Sequence, residues 1–117
     1  MNIQRIECKK RYSEIVIHNN TVYLSGQVPW KYEDYDFDIQ AEEVFNLVEQ
    51  QLIKAGSDKT KLLSLRIYLC NPNNYELMNT IFDKWIPDGC APSRATICNV
   101  KFPNPKWQIE VVAVAAL

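Results

Sequence analysis

The stretch LSLRIYLCNPNNYELMNTIFDKWIPDGCAPSRATI, residues 63–97, changes its hydrophobic period twice, and that change decides the fold class. Leu63, Leu65, Ile67 and Leu69 alternate with Ser64, Arg66 and Tyr68, a period of two that predicts a β-strand. Asn71-Pro72-Asn73-Asn74 breaks it. Met78, Ile81, Phe82 and Trp85 then recur at i, i+3, i+4 and i+7, one face of a helix. That helix opens on a capping-box-like Asn73…Glu76 and is stopped by Pro87 and Gly89. Pro92 restricts the backbone before Ser93, where a second strand is expected to run to about Phe102.

The flanking segments extend the same pattern. Upstream, Ile15-Val16-Ile17 and Val22-Tyr23-Leu24 read as two strands joined by His18-Asn19-Asn20-Thr21, since Asn readily takes the positive φ of a tight hairpin turn. Ile3 to Cys8 fits an edge strand before them. Trp30 to Phe37 reads as a loop, with Asp36 or Asp38 able to cap a helix whose apolar stripe is Ala41, Val44, Phe45, Val48, Leu52 and Ala55. Gly56 supplies the left-handed residue that ends it. Downstream, Pro103-Asn104-Pro105 separates the Ser93 strand from a last one over Trp107 to Ala116. The order β(β)β-α-β-α-β-β is that of an α+β domain, a mixed sheet with both helices packed on one face. One domain over residues 1–117 is expected, with no internal linker.

Composition narrows the function classes. The chain is 47% apolar and 23% charged with a formal net charge of −1, an ordinary globular balance. Its charges are mixed along the whole length, so no basic stripe is present to neutralise a run of phosphates, and nucleic acid is not an expected partner. Residues 1–10 lack the apolar core of a signal peptide, and the longest apolar run, Val111 to Leu117, is far too short to span a bilayer. A cytoplasmic protein without a membrane partner is expected. Cys8, Cys70, Cys90 and Cys98 show no CxxC pairing and read as reduced, mostly buried thiols.

Familiar catalytic constellations are missing. No glycine-rich phosphate loop occurs, and the single histidine, His18, reads as a solvated turn residue rather than part of a triad or metal site. Two charged residues stand out instead. Arg94 opens a strand just after a proline, either as a strand-end salt bridge or as a bidentate grip on a carboxylate, for which a planar guanidinium is suited. Glu110 lies in the apolar strand Trp107 to Ala116, either as a partner for a neighbouring cation or as a desolvated carboxyl able to exchange protons near neutral pH. Ser25-Gly26-Gln27 ends a strand, where Gly26 allows close approach to the backbone. Asn79 flanks the stripe of the second helix, either as a solvated residue or as a polar group facing a subunit boundary, and Tyr12 is compatible with packing.

Taken together, Ser-Gly-Gln-Val-Pro at 25–29, Asn79 with Phe82 and Trp85, Pro-Ser-Arg-Ala-Thr at 92–96 and Ile-Glu-Val-Val-Ala-Val-Ala at 109–115 resemble the Rid family, also called the YjgF or reactive intermediate deaminase family. The likeness runs from about Tyr12 to the C-terminus. It is nearest the YoaB-like branch, through Val-Ile-His-Asn-Asn-Thr at 16–21 and Asn-Pro-Lys at 104–106. The resemblance implies a chorismate-mutase-like α+β fold, a homotrimer with ligand clefts between subunits, and cofactor-free hydrolysis of 2-imino and enamine acids such as 2-aminoacrylate to 2-keto acids and ammonia. It also implies roles. Arg94 would hold the substrate carboxylate and Glu110 would orient or activate water. Tyr12, Ser25 and Asn79 would line the cleft, and the backbone at Gly26 and Thr96 would border the ligand. Two departures bear on substrate range: Thr96 stands where many deaminases have cysteine, and the loop between Phe102 and Glu110 is one residue longer. The alternative reading is a non-catalytic protein that binds or senses 2-keto acids. An RNA-cleaving activity, attached by name to some relatives, is disfavoured by the near-neutral charge.

Overall fold

The computed structural model describes residues 2–117. Its strands are β1 (Gln4–Cys8), β2 (Ser13–His18), β3 (Thr21–Leu24), β4 (Leu62–Leu69), β5 (Ser93–Ile97) and β6 (Ile109–Ala116); its helices are α1 (Phe37–Lys54) and α2 (Tyr75–Trp85). The six strands form one sheet in the order β1-β2-β3-β6-β4-β5. Only β4 and β5 run parallel, joined through α2. The remaining neighbours are antiparallel, with β6 inserted at the centre between β3 and β4. This is the α+β mixed sheet expected from the periodicities.

Both helices lie on one face and share a single core with it. Val44, Phe45, Val48 and Leu52 of α1 and Met78 and Phe82 of α2 are buried with Ile15, Val22, Leu65, Ile67, Leu69, Ile109, Val111 and Ala113 of the sheet. Phe45, Phe82 and Trp85 bridge the helices, with ring centroids 5.1–6.1 Å apart. The opposite face carries no helix. There the register sets Val16, Tyr23 and Val114 side by side on three adjacent strands, and Tyr23 is half exposed.

The hairpin turn uses the expected chemistry, since Asn19 and Asn20 adopt φ of 50° and 58°. His18 is the last residue of β2 rather than part of the turn. Its Nδ1 lies 3.3 Å from the Asn2 carbonyl. Gly56 closes α1 with φ of 90°.

Several local expectations are corrected. Leu63 does not share a face with Leu65; a bulge between Leu62 and Ser64 shifts the pleat by one, so Leu62 is buried and Leu63 is 49% exposed. The Asn73…Glu76 box does not form. Asn71 instead accepts from the Asn73 backbone N–H in a 3₁₀ turn over Pro72–Asn74, and Asn74 caps α2 through its backbone alone. Asp36 is the N-cap of α1, again without a side-chain hydrogen bond. β5 ends at Ile97, not Phe102, because Asn99 turns the chain with φ of 61°. The cysteines are free as expected but not mostly buried, since Cys8 and Cys70 are exposed. Among the described residues, no helix is long and apolar enough to cross a membrane.

Candidate functional site

The sequence-derived site residues fall into two groups on opposite sides of the sheet. Arg94 pairs with Leu65 in the parallel β4/β5 ladder, and paired residues share a face, so its side chain lies on the helix side. There its guanidinium carbon sits 5.0 Å from the centre of the Phe82 ring, and Nη2 donates to Asn79 Oδ1 at 2.7 Å. Among the described residues it has no acidic partner, so the strand-end salt bridge is not formed. Phe82 and Asn79, one turn apart on α2, hold a half-buried cation that uses one of its five N–H donors on the protein. Thr96, paired with Ile67, projects to the same side two residues on.

Glu110 belongs to the other face. It is directly opposite Tyr68 on β4 and has the parity of Val112 and Val114. Partial burial raises its pKa above the usual carboxylate value, and it has neither hydrogen-bond nor ion-pair partner among the described residues. The carboxylate packs against Gly26. A Cβ placed on Gly26 would lie 1.8 Å from Glu110 Oε2, so the absence of a side chain there is what admits the carboxylate.

We therefore expect Gly26→Ala to displace the flexible carboxylate end at little cost to stability, within about 1 kcal/mol, while abolishing whatever chemistry depends on its position. Thermal unfolding measured beside an activity assay separates the two effects. Equal loss in both would show that Gly26 serves the fold instead.

Tyr12 and Gly26 border a concavity walled by Leu47, Gln51 and Lys54 of α1, on the helix side of the sheet and apart from Glu110, and Tyr12 is 49% exposed. Its hydroxyl accepts from Lys9 Nζ at 3.3 Å, and Lys9 also meets Glu14 at 3.5 Å. Ser25 Oγ donates to Glu14 Oε2 at 3.2 Å, and Gln51 Nε2 of α1 donates to the same oxygen at 3.3 Å. Glu14 thus gathers Ser25, Gln51 and Lys9, a positioning role that its place in a hairpin strand did not signal.

The separation of the two groups follows from the ladder. Arg94 aligns with Leu65 and hence Ala113, two strands across, and Glu110 lies three residues further along. At about 4.8 Å between strands and 3.4 Å per residue, their backbones are roughly 14 Å apart. Within one chain they do not converge on one small molecule.

A further residue, unsuspected from sequence, fixes the approach to Glu110. Gln40 on α1 is fully buried, and its Nε2 lies 3.1, 3.2 and 3.0 Å from the carbonyls of Glu33, Tyr35 and Lys106. Its Oε1 accepts from the Gln108 N–H at 2.9 Å. The loop that leads into β6 is therefore latched to α1 two residues before Glu110. The available signal was a polar residue at the stripe position three after Phe37 and four before Val44.

With this geometry established, comparison with known proteins gives a consistent result. Residues 2–117 match the family described as Endoribonuclease L-PSP. A RutC family protein of Haemophilus influenzae is 38% identical over 98% of each chain. The RutC family protein YoaB of Escherichia coli is 38% identical over the full length of both chains. A crystal structure of a YjgF family member from Neisseria meningitidis superposes with a TM-score of 0.93 at 33% identity, covering 99% of this chain and 95% of that one.

Proposed function

The chain belongs to the Endoribonuclease L-PSP family, which takes in the RutC and YjgF proteins, and from that premise we propose that it hydrolyses 2-imino and enamine acids, such as 2-aminoacrylate, to 2-keto acids and ammonia. The observation that carries this reading is Glu110, an unpaired carboxyl with a raised pKa packed on the bare backbone of Gly26. A carboxyl in that state holds a proton more readily than a solvated one and is suited to general acid–base work.

The chemistry asks little of the protein. The iminium carbon beside a carboxylate is already electrophilic, so binding, orientation and a positioned water suffice, and no metal or organic cofactor is called for. Arg94 holds the substrate carboxylate by two charge-assisted hydrogen bonds, with Asn79 and Phe82 fixing the guanidinium plane. Glu110 takes a proton as the water oxygen bonds to the imine carbon. The resulting carbinolamine receives that proton on nitrogen, its C–N bond breaks as Glu110 takes the hydroxyl proton and the carbonyl forms, and that proton leaves with ammonia as ammonium.

This scheme needs Arg94 and Glu110 at one ligand, so the proposal includes a homotrimer with clefts between subunits. One subunit contributes Arg94, Asn79 and Thr96, and its neighbour contributes Tyr12, Ser25, Gly26 and Glu110. Two observations support it: the separation of the two groups within one chain, and the row of Val16, Tyr23 and Val114 on the helix-free face. An apolar face of that kind is what a closed oligomer covers.

The test couples the protein to an enzyme that generates a 2-imino acid and follows 2-keto acid release. Wild type should accelerate it. Arg94→Lys should lose roughly 10- to 100-fold in kcat/KM, since a charge-assisted hydrogen bond is worth about 1.5–3 kcal/mol. No acceleration by wild type, or full activity in Arg94→Ala, would sink the proposal. The second reading, binding of 2-keto acids without turnover, is favoured by one feature: Arg94 is anchored by Asn79 and Phe82 without help from Glu110. Under that reading thermal stabilisation by keto acids persists in Glu110→Gln and no imine is consumed.

A further inference from the structure

On the helix-free face, the row of Val16, Tyr23 and Val114 continues over two more strands as Ser64, paired with Val114, and Ser93, paired with Ser64. The face turns from apolar to polar at β4. The polar end is the rim of the apolar row, the part of an interface that solvent reaches. Two residues along each strand, Arg66 lies opposite Ala95. Residues two apart share a face, so Ser64, Ser93, Arg66 and Ala95 are the four corners of one patch. Between them Leu65 and Arg94 turn to the helix side, where Leu65 is wholly buried, and floor the patch with backbone. These six residues line a pocket of about 110 Å³.

The donors of this patch are unused. Among the described residues, the serine hydroxyls that donate are those of Ser25 and Ser57, and the guanidinium that donates is that of Arg94. Arg66 has no acidic partner among them either. Glu110 is on the same face but opposite Tyr68, roughly 14 Å from Ser64, and does not line the pocket.

Ser64 and Ser93 are about 4.8 Å apart across the strands, and Arg66 is roughly 6.8 Å further along β4. Three donors therefore stand at the corners of a triangle, and the small Ala95 leaves the fourth corner open. A carboxylate has two oxygens in one plane and cannot meet all three. A phosphate group has diverging oxygens, one for each hydroxyl and the rest for the guanidinium fork. The pocket holds roughly four waters' share of liquid volume, enough for the phosphate itself and not for a large molecule carrying it.

We propose that Ser64, Ser93 and Arg66 bind a single phosphate group, either inorganic phosphate or the end of a phosphorylated small molecule whose body projects into solvent. The site is independent of the imine chemistry assigned to Arg94 and Glu110. The experiment titrates the isotope-labelled full chain with inorganic phosphate and follows backbone amide shifts by NMR. Saturating shifts are expected at Ser64, Arg66, Ser93 and Ala95. Arg66→Ala should weaken binding roughly 10- to 100-fold, the contribution of a charge-assisted hydrogen bond, and Arg66 is exposed, so the fold does not depend on it. Arg94→Ala, altered on the other face, should bind phosphate as wild type does.

Shifts that do not saturate, shifts centred on Arg94 and Asn79, or unchanged affinity in Arg66→Ala would overturn the site. Acetate bound there as tightly as phosphate would overturn the choice of ligand. Glycerol 3-phosphate separates the two sources: tighter binding than inorganic phosphate upholds the site with a phosphorylated molecule as its ligand, and equal or weaker binding upholds it with the free ion.

Discussion

Replacing Glu110 by glutamine is expected to slow imine turnover by roughly 10²- to 10⁴-fold, the range for losing a positioned general base, while keto-acid binding through Arg94 survives. The pH profile carries the sharper test. Glu110 acts as a base only when ionised, and burial raises its pKa. The rate should therefore climb with pH through a value above the ordinary carboxylate range, and that limb should vanish from the residual rate of Glu110→Gln. Stability should move the other way. A glutamate whose folded pKa lies above its unfolded one stabilises the fold below the unfolded pKa and loses that contribution as pH rises through the folded one. Glu110→Gln is thus expected to melt no lower than wild type at neutral pH, and the wild type should gain on it under mild acid. A variant that is both inactive and strongly destabilised would assign Glu110 to packing.

The second large effect is expected at Gln40. Gln40→Leu keeps the volume of the buried side chain but removes the partner of the Gln108 N–H and of up to three carbonyls, those of Glu33, Tyr35 and Lys106. Each buried group left unsatisfied costs about 1–3 kcal/mol. Some regain water, so a net loss of about 3 kcal/mol is expected, and for a domain of this size roughly 10 °C in Tm. Because the latched segment runs straight into β6, turnover should fall beyond what unfolding explains. Gln40→Glu, which keeps the acceptor for Gln108 but cannot donate when ionised, should do worse than Gln40→Leu at neutral pH and recover in part as pH falls. Thermal melts of the two variants across pH check this. Melting at the wild-type temperature in Gln40→Leu would mean that the latch contributes nothing.

The strands and helices were legible where period and local chemistry agreed. Asn19-Asn20 specified a turn that only positive φ closes, and the Met78, Ile81, Phe82, Trp85 spacing specified α2. Failures occurred where one residue breaks a period. Leu63 looks like a core position until the bulge beside it shifts the pleat, and Asn99 ends β5 inside an apolar segment. The cysteines misled in a similar way, since Cys70 follows a buried strand yet lies just past its end, in solvent.

At the candidate site the sequence identified the chemistry of Arg94, Glu110 and Gly26 and, by family resemblance, their roles. Those identities rest on side-chain properties that a sequence states outright: a planar cation after proline, a carboxyl in an apolar strand, a residue without Cβ. What only the tertiary structure decided is position. Sheet register sets Arg94 and Glu110 on opposite faces, two strands apart, and packing brings Glu110 onto Gly26, Asn79 onto Arg94, and Gln40 onto the loop before β6. These contacts join residues from 15 to 84 positions apart (79 to 94 and 26 to 110). Period and motif report only which face of its own element a residue occupies, whereas strand order and register are settled by the packing of the whole chain.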